Sequence, residues 1–245
     1  MKILVCISKT PDTTAKISFN GDQTFNAAGV QFIMNPYDEW YALVKALEIQ
    51  EANGGTVTLI NVGGADNETI IRKGLAIGAE NAVRINTEPA SAMSTAFQIA
   101  SYAKSQGFDL IFTGKETIDF NAAEVGAMVA EYLDMPYVSF ANEMKLNGNT
   151  AIIGREIEGG TETVEVDLPI VISAAKGLAE QRIPNMRGIM MAKSKPLEVM
   201  DPAPFQDNVT TKQFELPTAK SAVKMVDPEN MDELVRLLHE EAKVI

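Results

Sequence analysis

Apolar residues in the first half of the chain fall into two alternating kinds of run. Short continuous runs at 2–8 (KILVCIS), 56–62 (TVTLINV), 81–86 (NAVRIN) and 109–113 (DLIFT) read as strands buried on both faces. Between them lie stretches with helical spacing. In NPYDEWYALVKALEIQEANGG, Tyr37, Trp40, Leu43, Val44 and Leu47 share one face. Asn35 suits the N-cap and Pro36 the first turn. Asp38 and Glu39 complement the dipole, and Gly54-Gly55 ends the run. Further helices are expected over 66–77 and 89–105, and from the Gly114-Lys115 turn to Leu133. Asn20-Gly21 in ISFNGDQTF signals a hairpin.

Repeated strand–helix units predict an α/β fold with a doubly wound and mostly parallel sheet. Residues 142–175 break the rhythm. They alternate around Asn147-Gly148 and Gly159-Gly160, so antiparallel hairpins are expected to extend the sheet. Residues 201–226 carry Pro202, Pro204 and Pro217 with little periodicity. They precede an amphipathic helix with Asp227 as its expected N-cap and Pro228 in its first turn. The division expected is an α/β domain over 1–200 and a C-terminal arm with a terminal helix over 201–245. An ordered helix beyond an extended arm suggests that the arm lies on a partner subunit.

Composition narrows the chemistry. With 245 residues, 46% of them hydrophobic, the chain can bury a large core. Its net charge of −12 argues against a basic nucleic-acid surface. Cys6 is the only cysteine, so no internal disulfide can form and a cysteine metal site is not expected. His239 is the only histidine and lies far along the chain, which disfavours a serine–histidine hydrolase. No secretory leader pattern opens the sequence, and no apolar run approaches the ~20 residues needed to span a bilayer. A cytoplasmic protein without membrane insertion is expected.

Neither GxGxxG after the first strand nor GxxxxGK[ST] occurs. VGGADNET (62–69) follows the second long strand, whereas the pyrophosphate loop of adenylating enzymes follows the first. What remains is a set of strand ends: Ser8-Lys9, Asn35-Pro36, Val62-Gly63 and Gly114-Lys115. In an open α/β sheet such ends can share one ligand crevice; they can equally be ordinary connections. DLIFTGKETIDFNAAEVGAMVAEYL (109–133) has the strand–turn–helix order that cradles a phosphate. Against this, Glu116, Asp119 and Glu124 place negative charge where a phosphate would sit.

GKETIDFNAAEVG resembles the nucleotide loop of the electron transfer flavoprotein β subunit family. IMNPYDEWYALVKALEIQE is similar to its Asn-Pro helix start, SKTPDTTAKI to its Pro-Asp-Thr loop, and AEQRIPNMRGIMMAKSKPLEV to its recognition segment. The four blocks occur in order over residues 1 to 200, and the resemblance implies a Rossmann-like, adenine-nucleotide-binding layout for the domain over 1–200, with a partner-recognition segment at 180–200. The resemblance implies a heterodimer with an α subunit that carries the redox FAD near the interface. It implies a second nucleotide, AMP or a second FAD, in the β subunit, and electron exchange with acyl-CoA-type dehydrogenases, in some members with electron bifurcation. The chain is then a carrier rather than an enzyme. The nucleotide positions it implies are Cys6, Asn35, Pro36, Tyr37, Asp38, Val62, Gly114, Lys115, Glu116, Thr117, Ile118, Asp119, Phe120, Asn121, Ala122, Ala123, Glu124 and Val125. Cys6 and Val62 would offer backbone groups, and the amides of 121–125 would meet phosphate at a helix N-terminus. Met186, with Arg187 and Met190, would form the docking surface. Met186, Met190 and Met191 beside Arg182, Arg187, Lys193 and Lys195 suit an adaptable, cation-ringed contact, although an isolated methionine can also be core.

Asp38, Val125 and the Pro-Asp-Thr loop resemble members with a second FAD. Phe120-Asn121 and Glu124 depart from them. Phe120 adds bulk, and at ~6 Å and an effective dielectric near 20, Glu124 beside a phosphate costs on the order of 3 kcal/mol. AMP and FAD therefore both stay open, with the balance toward FAD. A reading of another class is a stand-alone ATP-binding domain similar in layout to universal stress proteins, against which the long arm argues.

Overall fold

A computed structural model describes residues 1–220 and 222–245. Its main sheet has nine strands in the order β11-β5-β4-β1-β6-β10-β7-β8-β9. The strands are β1 (Lys2–Cys6), β4 (Thr56–Val62), β5 (Asn81–Ile85), β6 (Leu110–Gly114), β7 (Tyr137–Asn147), β8 (Thr150–Ile157), β9 (Gly160–Asp167), β10 (Ile170–Ala174) and β11 (Leu197–Met200). From β11 to β7 every pairing is parallel, whereas β7, β8 and β9 run antiparallel. A separate pair joins β2 (Lys9–Pro11) to β3 (Phe32–Met34). The expected hairpin at Asn20-Gly21 is reduced to a single bridge, Phe19 to Phe25.

The continuous apolar runs have a physical cause: helices cover both faces of the parallel strands. Ile3 and Val5 of β1 and Phe112 of β6 point to one core with Leu43 and Leu47 of α1 (Asp38–Asn53) and Ile71 and Leu75 of α2 (Glu68–Ile77). Leu4 and Ile111, one residue out of phase, point to the other. That core holds Ile99 of α3 (Ala92–Ala103) and Val129 of α4 (Val125–Leu133). Because β1 lies between β4 and β6, strand order reverses beside β1, the place where an open α/β sheet takes a ligand.

Several boundaries differ from expectation. Asn35 is not the N-cap of α1. Tyr37 holds that position with φ of 65° and no side-chain cap, and Asn35 is spent elsewhere. Tyr37 is exposed rather than part of the buried face. β11 had no sequence signal beyond LEVM, and it pairs in parallel with β5 at the sheet edge. It follows α5 (Met186–Ala192). The terminal helix α6 (Met231–Arg236) starts later than Asp227 predicts. Asn230 Oδ1 accepts from Glu233 N at 3.3 Å, while Asp227 Oδ1 accepts from Glu229 N in the preceding turn. α6 runs into a π-helical turn at Leu237–Ala242.

The first part of the arm packs on its own domain. Gln98 Nε2 donates to Ala203 O and Gln98 Oε1 accepts from Ala203 N, both at 2.8 Å. The Phe205 ring centre is 4.7 Å from that of Phe97, and Phe214 stacks on Phe19 at 5.5 Å. Beyond Phe214 the apolar side chains of Leu216, Val223 and Met225 are exposed. Among the described residues no helix is long and apolar enough to cross a membrane.

Candidate functional site

The crevice is built by the chain segments that follow β1, β3, β4 and β6. The Cys6 side chain belongs to the core beneath α3 and α4, where burial pushes its thiol up, and Val62 packs in the same core. Only the backbones of these two residues can serve a ligand. The Gly63-Gly64 turn is locked inward. Arg84 Nη1 donates to Gly63 O at 2.8 Å, Asn67 Nδ2 to Asn61 Oδ1 at 2.9 Å, and Asn61 Nδ2 to Ile7 O at 2.9 Å.

Asn35 is fully buried and binds the nucleotide-loop candidate in two directions. Its Nδ2 donates to Glu116 O at 3.0 Å, and its Oδ1 accepts from Ile118 N at 3.0 Å. A side-chain amide can do both at once. Gly114 lies flush on the start of α1: a Cβ there would stand 2.8 Å from Glu39 Cγ and 3.2 Å from Asp38 Cβ. Pro36 is half-buried beneath this junction. Glu39 is 5% exposed, and its carboxyl meets Ser8, with Oε2 2.7 Å from Ser8 N and Oε1 2.5 Å from Ser8 Oγ. Burial pushes the Glu39 carboxyl up to about 8, and burial also raises that of Asp38. Lys115 Nζ pairs with Glu116 at 3.1 Å, which holds the Lys115 ammonium above its ordinary value.

The segment after Glu116 is a compact turn. Asn121 N donates to Thr117 O at 2.9 Å, and Asn121 and Ala123 take positive φ, 51° and 56°. Such φ values outside glycine are uncommon and mark a turn held by its surroundings. The first bond into α4 is Met128 N to Glu124 O at 3.1 Å. The amides of Val125, Gly126 and Ala127 are therefore the unpaired donors that every helix start leaves. Ala122 lies in the same exposed bend. Gly126 lets α4 sit close to β6, since a Cβ would stand 2.7 Å from Thr113 Oγ1. Phe120 is 71% exposed, and Asp119 and Glu124 are also solvent-facing. The loop thus presents backbone donors rather than a cluster of basic side chains.

The second group of candidates lies apart, on α5. Asn185 caps this helix by accepting from Gly188 N at 2.8 Å. Met186 and Met190 are 74% and 70% exposed, which removes the core reading of Met186, and Arg187 is exposed beside them. Lys195 does not join the cationic ring. Its Nζ turns inward and donates to the carbonyls of Leu75, Gly78 and Ala79 at 2.8, 3.2 and 2.6 Å, where α2 ends. Arg72 reciprocates from α2, with Nη1 donating to Ala192 O and Lys195 O at 2.9 and 2.7 Å. Arg182 is likewise engaged, paired with Glu51 at 2.6 Å. Sequence reasoning treated Lys195 and Arg182 as surface charge and Glu39 as a dipole complement. A lysine near a helix end and an acid one residue from a tryptophan on the buried face were the available signals.

Comparison with known proteins follows this geometry. Residues 22–205 match the family model described as electron transfer flavoprotein domain. The chain is 36% identical to the electron transfer flavoprotein subunit beta of Bacillus subtilis, with all of both chains covered. It is 34% identical to the mitochondrial subunit beta of Arabidopsis thaliana, again over the whole of both. It is also 32% identical to the acryloyl-CoA reductase electron transfer subunit gamma of Anaerotignum propionicum, over 84% of this chain and 80% of that one. With the matched region spanning most of the sheet, the crevice and α5, the chain belongs to the electron transfer flavoprotein β subunit family.

Proposed function

We propose that the chain works as the β half of an αβ electron transfer flavoprotein. It holds an adenine nucleotide, AMP or the AMP portion of a second FAD, above β1 and β6. It presents α5 to a flavin-dependent dehydrogenase of the acyl-CoA type, and its terminal helix and the exposed part of its arm lie on the α subunit. The observation that carries the nucleotide reading is the Gly114–Val125 loop. Asn35 pins it from below, it approaches α1 closely at Gly114, and it ends at the free amides of α4. Backbone donors at a helix start fit a phosphate ester without a basic cluster.

When bound, FAD supplies the electron chemistry; this chain's residues bind, orient and shield. Exposed Val235, Val244 and Ile245 at the terminus suit an apolar partner face. The name of the Anaerotignum propionicum relative, an acryloyl-CoA reductase electron transfer subunit, accords with a CoA-linked partner. The test is purification with the α subunit, release of nucleotide by heat and chromatography of the supernatant. Two FAD, or one FAD with one AMP, supports the reading. An intact complex free of flavin refutes it.

A further inference from the structure

We propose that Glu39 is a positioning residue of this crevice: a proton-carrying clasp that holds the turn after β1 against the junction of α1 and β6, so that nucleotide binding takes up a proton. The inference rests on the nucleotide reading above.

Three observations converge on it. Glu39 is almost wholly buried, yet among the described residues its two oxygens meet only Ser8, at 2.7 Å to the amide and 2.5 Å to the hydroxyl. Ser8 approaches as a donor at both oxygens, from its amide to Oε2 and from its hydroxyl to Oε1; a neutral carboxyl keeps both contacts when its O–H donates to Ser8 Oγ instead. Glu39 Cγ also backs directly onto Gly114, the first residue of the nucleotide loop. The other ionisable groups acting on this pocket are acidic or neutral. Asp38 lies on the same helix, Asp119 on the loop after β6, and the buried Cys6 thiol on β1. Lys115, the nearest loop cation, acts on Asp38 and Glu116. Burial, aided by these carboxylates, favours the protonated form and outweighs the two Ser8 bonds, which favour the charged one. An anionic nucleotide on the neighbouring loop favours it further.

The experiment titrates the αβ complex, stripped of nucleotide, with AMP in buffers of differing ionisation enthalpy from pH 6 to 9.5. The native complex is expected to take up protons on binding, and above pH 8 its AMP affinity falls by up to about tenfold per pH unit. Glu39→Gln keeps both contacts through its amide, and its affinity should stay within about twofold over the same range. Equal pH slopes and equal proton uptake in the two proteins overturn the proposal. If neither protein binds AMP or FAD, the nucleotide reading has failed on its own account. The unfolding profile of the ligand-free complexes then decides the clasp: a native midpoint that falls relative to Glu39→Gln between pH 6 and 9 supports it, and parallel profiles overturn it.

Discussion

Asn35 offers the sharpest test of how the crevice is built, because two roles for it predict opposite outcomes. As the N-cap of α1, it would tolerate Asp, which caps as well as Asn. As the bolt beneath the nucleotide loop, it must both donate to Glu116 O and accept from Ile118 N. Asn35→Ala leaves two partly buried backbone groups without partners, each costing about 1–3 kcal/mol, with the lower half expected where water can reach. The loss is therefore about 2–4 kcal/mol, or some 4–16 °C of melting temperature for a chain of this size. Asn35→Asp keeps the contact to Ile118 N, but it sets a buried carboxylate against the Glu116 carbonyl. It should cost at least as much at pH 7 and recover in part on acidification, when the protonated acid can donate. Thermal unfolding of the αβ complex, read with its nucleotide content, measures both. An Asp variant within about 0.5 kcal/mol of native, with full nucleotide, would refute the bolt and restore the cap.

The remaining predictions concern charge and docking. The folded value of Glu39, about 8, lies above its ordinary 4.5, so the folded protein holds more protons across that window. Its stability contribution is complete below pH 4.5, is lost as pH rises to about 8, and at about 1.4 kcal/mol per pH unit totals no more than about 5 kcal/mol. Glu39→Gln should accordingly gain more at pH 9 than at pH 6, by up to about 3 kcal/mol, in denaturant titrations. Lys195→Met removes three bonds to the end of α2, so hydrogen exchange over 186–192 should quicken while the sheet stays protected. Met186→Ala should slow electron exchange with the partner dehydrogenase and leave bound nucleotide unchanged; loss of nucleotide would point instead to a structural role.

What the sequence made legible follows from which interactions are local. β1, β4 and β6 are continuous apolar runs because they are covered on both faces, and that pattern is visible without a partner. α3 was expected from residue 89 but starts at Ala92, where Ser91 caps it through a reciprocal contact with Ser94. Asn35 was misassigned because Asn-Pro before a helical run signals a cap, whereas its true partners lie more than 80 residues away. Lys195 and Arg72 look like surface charge until α2 and α5 meet, since a carbonyl-bound cation leaves no mark on composition. β11 is four half-exposed residues whose strand character comes from the edge of β5 rather than from their own order.

The acids around the nucleotide loop carry less weight in the fold than in the sequence. Glu116 is paired with Lys115, and Glu39 is buried in a setting that retains its proton near neutrality. Asp119 turns one oxygen to Phe120 N, and Glu124 stands in solvent. A solvated charge ~6 Å from a phosphate costs about 0.7 kcal/mol at the dielectric of water, against about 3 kcal/mol at an effective value near 20. The smaller cost is comparable to the roughly 0.3–1 kcal/mol that a helix start returns to an anion. Phe120 is solvent-exposed and belongs to neither hydrophobic core. Of the three departures, Phe120, Asn121 and Glu124, the charge of Glu124 therefore weighs little against a pyrophosphate on the proposed reading. The choice between AMP and FAD passes to the room beyond the loop, where the α subunit would close the crevice.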